Sequence, residues 1–342
     1  MKEIKSQKNN NPIKKIFIKL CRFMGYEIID QSNFYIPTSD KNLNEILSKP
    51  GVKSINLPLG EVKITRNVKA LDVIIRSCSS VHMLTQNKLR IFEEDKIQYT
   101  LRSINSILKS INYAKKHFPK IKIKITVIDY NSSIENLKKI EKLLKSYSLN
   151  FKLLNLDLSE FEKRIKTTNE KNEKVTLNQM SNMSSIYKSL LLSKMSNDLI
   201  YFVEDDYIHE INSIAEMLFT YERIASLTNH ELIVCPTDYP YLYVKTEDTK
   251  IFLGQNYHWR KINETLCTFL TSKKIITKYW DRFLSMCNFE HYPFESPLHE
   301  IYKKELCISP IPSIAIHCTN VNSIYGLSPN KDWKKIWNEN KV

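Results

Sequence analysis

At 342 residues, with 42% hydrophobic and 26% charged side chains, the chain has the composition of a globular protein and the length for one large domain or two modest ones. No apolar run reaches the roughly 18 residues of a membrane span, and the basic start "MKEIKSQKNNNPIKK" lacks the apolar stretch and small-residue site of a signal peptide. The formal charge of +14 implies an anionic partner without naming it.

Seven scattered cysteines, Cys21, Cys78, Cys235, Cys267, Cys287, Cys307 and Cys318, are never spaced C-x-x-C. They argue against a disulfide scaffold or zinc ribbon and for a reducing, cytoplasmic setting. With only five glycines, no G-x-G-x-x-G or G-x-x-x-x-G-K-[ST] occurs. Rossmann dehydrogenases and P-loop NTPases are thereby disfavoured, and a bound diphosphate would need a metal and side chains instead.

The first predicted element is an amphipathic helix over residues 11–25, with Asn11 as N-cap, Pro12 at the first helical position and Gly25 at its end. Ile13, Ile16, Phe17, Leu20 and Met24 share one stripe, opposite Lys14, Lys15, Lys19 and Arg22. Such a helix either docks on the protein body or adsorbs to an anionic membrane face. Residues 26–70 read as an irregular lead-in with short strands. From residue 71, strands ("LDVIIRS", "IKIKITVID", "NFKLLNL", "DLIYFV") alternate with helices (99–118, 133–147, 181–196). That alternation predicts a mostly parallel sheet covered by helices, which binds ligands at the strands' carboxyl ends. After residue 230, "ELIVCPTD", "YLYV" and "TLCTFLTS" are closely spaced strand-like runs. Helices near 272–287 and 297–304 and a strand at 313–317 follow. The expected division is 1–70 for the basic helix and lead-in, 71–325 for one compact domain, and 326–342 for a tail packing Trp333 and Trp337 on the body.

Three of these strands deliver polar residues to one edge: Arg76-Ser77, then Asp129 to Ser133, then Glu204-Asp205-Asp206. Residues two apart on a strand point the same way, which would let Glu204 and Asp206 share a ligand while Asp205 points elsewhere. Two carboxylates with diphosphate oxygens and water make a hard shell for Mg²⁺ or Mn²⁺. A solvated turn or a helix cap is the alternative.

The order of these parts resembles a GT-A-type nucleotide-sugar glycosyltransferase, nearest to the family 2-like group, over roughly residues 70–320. "VIDYNSS" is similar to that family's base-contacting element, which implies that Asp129, with Asn131 and Arg76, positions the nucleotide. "FVEDDY" is similar to its D-x-D-type metal motif, implying Asp206 as direct ligand, Glu204 beside it and Asp205 on the nucleotide side. His317, ending an apolar strand in "PSIAIHCTN", matches the late histidine that many members add to the metal shell; a core or surface histidine is the other reading. In "HYPFESPLHEIYKK", Ser296 and Pro297 read as the N-cap and first residue of a helix, leaving Glu295 on a loop before it. The resemblance implies Glu295 as the general base of an inverting enzyme, ionised at an ordinary pKa near 4.3, with Glu300 as its rival. The family's usual Glu-Asp pair reads Glu295-Ser296 here, and no Q-x-x-R-W of a processive synthase occurs. Tyr257, His258, Trp259 and Arg260 are candidates for the acceptor side, or else core and surface residues.

The implied fold is α/β and GT-A-like (Rossmann-like): a mostly parallel sheet covered by helices, with a short antiparallel C-terminal part and the N-terminal amphipathic helix. The implied activity is metal-dependent glycosyl transfer from a nucleoside-diphosphate sugar to a glycan or lipid-linked acceptor, in the cytoplasm or peripherally at the inner membrane face. A nucleotidyltransferase would normally carry a Gly- and Arg-rich loop after the first strand, which "RSCSSVHML" does not offer. A nucleic-acid-binding protein or nuclease would use the charge, but no aromatic-basic module is present, and no nucleic-acid partner is expected.

Overall fold

The computed structural model describes residues 12–26, 64–80, 91–92, 94–168, 172–239, 242–243, 249–288, 295–318 and 331–342. The lead-in expected at 26–70 falls mostly outside them. The chain divides into two compact units, residues 1–47 with 55–61, and residues 48–54 with 62–342. In the first, helix α1 (Pro12–Phe23) ends where Gly25 adopts a positive φ of 84° and its N–H reaches Arg22 O at 3.0 Å. Only glycine takes that left-handed conformation without steric cost.

The second unit is built on a nine-stranded sheet. Strands β1 (Ala70–Ser77), β2 (Lys122–Asp129), β3 (Phe151–Asn155) and β4 (Leu199–Glu204) pair in parallel in the order β3-β2-β1-β4. The sheet continues through β9 (Phe269–Ser272), which is antiparallel to both its neighbours, to β6 (Leu232–Val234) and β10 (Leu306–Ile311). Antiparallel β8 (His258–Lys261) and β7 (Ile251–Leu253) close that edge.

Alternation along the strands feeds two cores. Leu71, Val73 and Ile75 of β1 and Leu199, Tyr201 and Val203 of β4 join the core beneath α2 (Lys96–His117), α3 (Ile134–Lys145) and α5 (Ser213–Thr228). Ile74, Ile200 and Phe202 join the opposite core, with α4 (Leu177–Ser193), α6 (Lys273–Lys278), α7 (Trp280–Ser285) and α8 (Ser296–Tyr302). Both faces are therefore covered, which is why these strands read as apolar runs rather than half-polar ones. The fold is the α/β, mostly parallel, helix-covered architecture that the sequence implies.

A separate two-stranded sheet pairs β5 (Tyr207–His209) with β11 (Ala315–His317). Its core joins Ile208 and Ile316 to Tyr99 of α2 and to Trp333 and Trp337 of α9 (Trp333–Glu339). Arg102 ties α9 down by donating to Trp337 O at 2.7 Å with its guanidinium 4.5 Å over that ring. Three details depart from expectation. Helix α4 starts at Leu177 behind a Thr176 cap, α8 starts at Ser296 with Glu295 in the cap position, and Leu242-Tyr243 of "YLYV" lie in a helical turn.

Candidate active site

The register of the parallel strands sets candidate residues side by side. Arg76 lies opposite Glu204, and Ser77 opposite Asp129. Both pairs are bonded: Arg76 Nη2 donates to Glu204 Oε1 at 2.8 Å, and Ser77 Oγ to Asp129 Oδ1 at 2.7 Å. Arg76 also donates through Nη1 to Asn182 Oδ1 at 2.7 Å on α4. Burial opposes the charge on Arg76, but the Glu204 carboxylate outweighs it and raises the pKa. The guanidinium is thus engaged with protein groups, and Glu204 is oriented by it.

Asp129 is 1% exposed, and its carboxylate organises the turn after β2. Oδ1 accepts from Ser132 Oγ at 2.7 Å as well as from Ser77, and Oδ2 accepts from Ser132 N at 3.1 Å. Burial, the largest influence, raises its pKa against these bonds. Asn131 takes a left-handed φ of 56° within this turn and is exposed. Ser132 continues the network to Ser79 at 2.7 Å, joining the turns after β1 and β2.

The acidic triplet splits three ways. The strand ends at Glu204, so the two-residue period that would align it with Asp206 stops there. Asp205 turns to the start of α2: Oδ1 accepts from Lys96 Nζ at 2.6 Å, and Oδ2 from Thr100 Oγ1 at 2.7 Å and Cys78 N at 3.2 Å. Each of these partners belongs to the protein, which makes Asp205 a brace between β4, α2 and the turn after β1. Nothing in the sequence linked Lys96, which lies ahead of the helix expected at 99–118, or Thr100, in its first turn, to the triplet.

Asp206 faces His317. The small sheet places Tyr207 directly opposite His317, and Cys318 N donates to Asp206 O at 2.8 Å. That backbone ladder sets His317 Nε2 3.2 Å from Asp206 Oδ2. The imidazole stacks on the Tyr207 ring, with centroids 4.6 Å apart and planes 7° apart, and Tyr207 is itself anchored by Tyr239 through hydroxyls 2.8 Å apart. Burial opposes ionisation of Asp206, but the His317 charge, followed by that of Lys96, holds its carboxyl well below the usual carboxylate range. Conversely, burial pushes His317 down, and the Asp206 charge and hydrogen bond outweigh it to raise its pKa.

Asp206 Oδ1 and His317 Nδ1 are both buried with no hydrogen-bond partner among the described residues. A buried ionised oxygen without a partner is costly, and a cation at this point would remove the cost. A carboxylate oxygen and an imidazole nitrogen also suit Mn²⁺ or Mg²⁺ when diphosphate oxygens and water complete the shell. Glu204 does not join them as a third clustered ligand: among the described residues, no group of three or more His, Cys, Asp or Glu side chains is gathered to hold a metal.

Glu295 is 6% exposed at the cap of α8, whose buried Pro297, Leu298 and Ile301 fix its base in the second core. Its carboxyl is not at the ordinary value expected from sequence. Burial pushes it up to about 7, with the Glu204 charge adding to the rise and those of Arg76 and His317 opposing it. The rival Glu300 points away, bonded to Lys303 at 2.6 Å on the exposed face of α8.

The 257–260 stretch divides. Trp259 is fully buried and donates to Glu216 Oε1 at 3.2 Å, and Arg260 pairs with Asp238 at 2.8 Å in the interior. Tyr257 bonds Glu210 at 2.8 Å, and His258 is exposed.

No protein-family model and no curated protein matches the chain. Among solved structures it is similar to GalNAc-T7 with UDP, GalNAc and Mn²⁺, at 11% identity over 78% of this chain and 45% of that one, with a TM-score of 0.42. It is also similar to UDP-glucose pyrophosphorylase complexed with UDP-glucose, at 8% identity over 80% and 98% of the two chains and a TM-score of 0.39. A third is the galactosyltransferase LgtC in complex with donor and acceptor sugar analogues, at 12% identity over 68% and 70% and a TM-score of 0.34. The structural neighbours thus include both glycosyltransferases and nucleotidyltransferases. At these scores the likeness is loose and carries no residue-level correspondence.

Proposed function

We propose that the protein is a metal-dependent glycosyltransferase acting on a nucleoside-diphosphate sugar, with a glycan or lipid-linked acceptor and inversion at the anomeric carbon. The observation that carries this reading is the buried Asp206–His317 pair at the carboxyl edge of the parallel strands, with Asp206 Oδ1 unpartnered among the described residues.

In this reading Asp206 and His317 hold Mn²⁺ or Mg²⁺, which when bound supplies positive charge to the leaving diphosphate. His317 binds as the neutral imidazole, giving up the proton that Asp206 otherwise helps it keep. Arg76 orients Glu204 next to this pair. Asp129 acts on the nucleotide side by fixing the Ser132 turn, and Asn131 on that turn presents its side chain to the donor. Glu295 takes the proton of the acceptor hydroxyl as that oxygen bonds to the anomeric carbon and the bond to the diphosphate oxygen breaks. A carboxyl near 7 suits a base at neutral pH, being half ionised and a stronger acceptor than an ordinary glutamate.

The test is donor turnover, read as release of nucleoside diphosphate with Mn²⁺ for UDP- and GDP-sugars, in wild type and Asp206→Ala. Turnover that is metal-dependent in the wild type and lost in the variant supports the proposal. Unchanged turnover in the variant refutes it.

A further inference from the structure

The apolar side of helix α1 is exposed. Successive residues advance by about 100° around a helix, so Ile13, Ile16, Phe17, Leu20, Phe23 and Met24 fall within roughly 120° of arc. All six are exposed, Phe17 to 56% and Phe23 to 90%, whereas Cys21, about 40° beyond Phe17 around the helix, is only 6% exposed.

The rest of the circumference carries all of the helix's charge, interspersed with Pro12, Ile18 and Cys21. Lys14, Lys15, Lys19 and Arg22 are the only charged residues of α1, and the first 23 residues hold seven basic side chains against Glu3 alone. Apolar contact alone would suit a protein partner, but an apolar face on a helix whose charges are all positive is complementary to a surface that is oily within and anionic at its boundary. Twelve residues rise about 18 Å, short of the ~30 Å hydrocarbon core, so α1 cannot cross a bilayer. No described helix of the chain is long and apolar enough to do so.

We infer that α1 is a membrane-docking element that lies in the plane of an anionic phospholipid surface, with Phe17, Leu20 and Phe23 among the acyl chains and its basic flanks at the phosphates. This is independent of the proposed activity.

The experiment is co-sedimentation of the full chain with vesicles of phosphatidylcholine alone or mixed with phosphatidylglycerol. Binding to the mixed vesicles that is stronger than to phosphatidylcholine and falls with added salt is the expected result. Phe17→Glu combined with Leu20→Glu is expected to reduce partitioning by about tenfold or more, with the melting transition of the protein unchanged. A wild-type protein that stays in the supernatant, or binds both vesicles equally at all salt concentrations, overturns the inference. So does full binding by the double variant, or a concentration-dependent dimer that the double variant abolishes, which would make a second copy the occupant.

Discussion

Asp206 and His317 lie 111 positions apart in the chain and meet at 3.2 Å because β5 and β11 pair with Tyr207 opposite His317. Backbone register sets this contact, and side-chain attraction only completes it. A slip of one residue in that ladder would turn the imidazole to the other face.

Substitutions through the acidic triplet should give separable effects. Asp206→Asn is expected to weaken Mn²⁺-dependent stabilisation by UDP or GDP by about 10- to 100-fold and also to lower the metal-free melting temperature, because the ionised carboxylate paired with His317 stabilises the fold. Asp205→Asn should lower stability by about 1–3 kcal/mol by weakening its bonds to Lys96, Thr100 and Cys78 N. Urea denaturation and nucleotide-metal titration of the two variants distinguish these outcomes.

Activity should rise with pH through about 7 as Glu295 ionises, with about a tenth of full activity one unit below. Glu295→Gln should lower turnover by about 10²–10⁴-fold and abolish that inflection.

The same residue has an opposite effect on stability. Its folded pKa, about 7, lies above the ordinary 4.5, so the folded state binds more protons between the two values. Stability from this group is present at pH 4 and is lost as pH rises to 7. Glu295→Gln is therefore expected to be more stable than wild type at pH 8, by ~1–3 kcal/mol, with little difference at pH 4. Paired melts at the two pH values check this.

His209 gives the reverse slope. It is buried against Tyr201 Oη at 2.5 Å, and burial pushes its pKa down to about 3. The unfolded chain takes up a proton near pH 6.5 that the folded chain refuses, so this contribution is complete above 6.5 and is lost as pH falls toward 3. His209→Gln should melt lower than wild type at pH 7 and show a shallower loss between pH 7 and 5, measurable by thermal denaturation.

Gly254→Ala should destabilise the protein by about 2–4 kcal/mol. A Cβ there would stand 2.6 Å from Glu216 Oε1 and Thr220 Oγ1, and closer still to Trp259 Nε1. Glu216 cannot swing away without abandoning the amides of Gln255 and Asn256, each at 3.0 Å. Denaturant titration gives the value.

The central half-sheet was legible because β1 and β4 are buried on both faces and read as apolar runs, and β2 and β3 fall between periodic helices. Strands β5, β7, β8 and β10 were not assigned from sequence. The first three are three or four residues long, and β10 carries Ser309 and Pro310, so neither length nor alternation marks them. Asp129, Glu204 and Asp206 stood out because carboxylates end otherwise apolar strands. The inward commitments of Arg76, Asp205 and Arg260 did not, since each depends on a partner distant in sequence. Glu295 was found by position, yet its raised pKa follows from enclosure, which no local pattern encodes.

The β5–β11 pairing also has a consequence for biosynthesis. The first four strands can pair once about 200 residues have left the ribosome, but Asp206 must wait for a segment more than a hundred residues later. Until then its carboxylate lacks its imidazole and Tyr207 lacks the ring it stacks upon. A nascent chain thus acquires its scaffold well before its Asp206–His317 pair, and a product released before His317 would lack the site on which the proposed function rests.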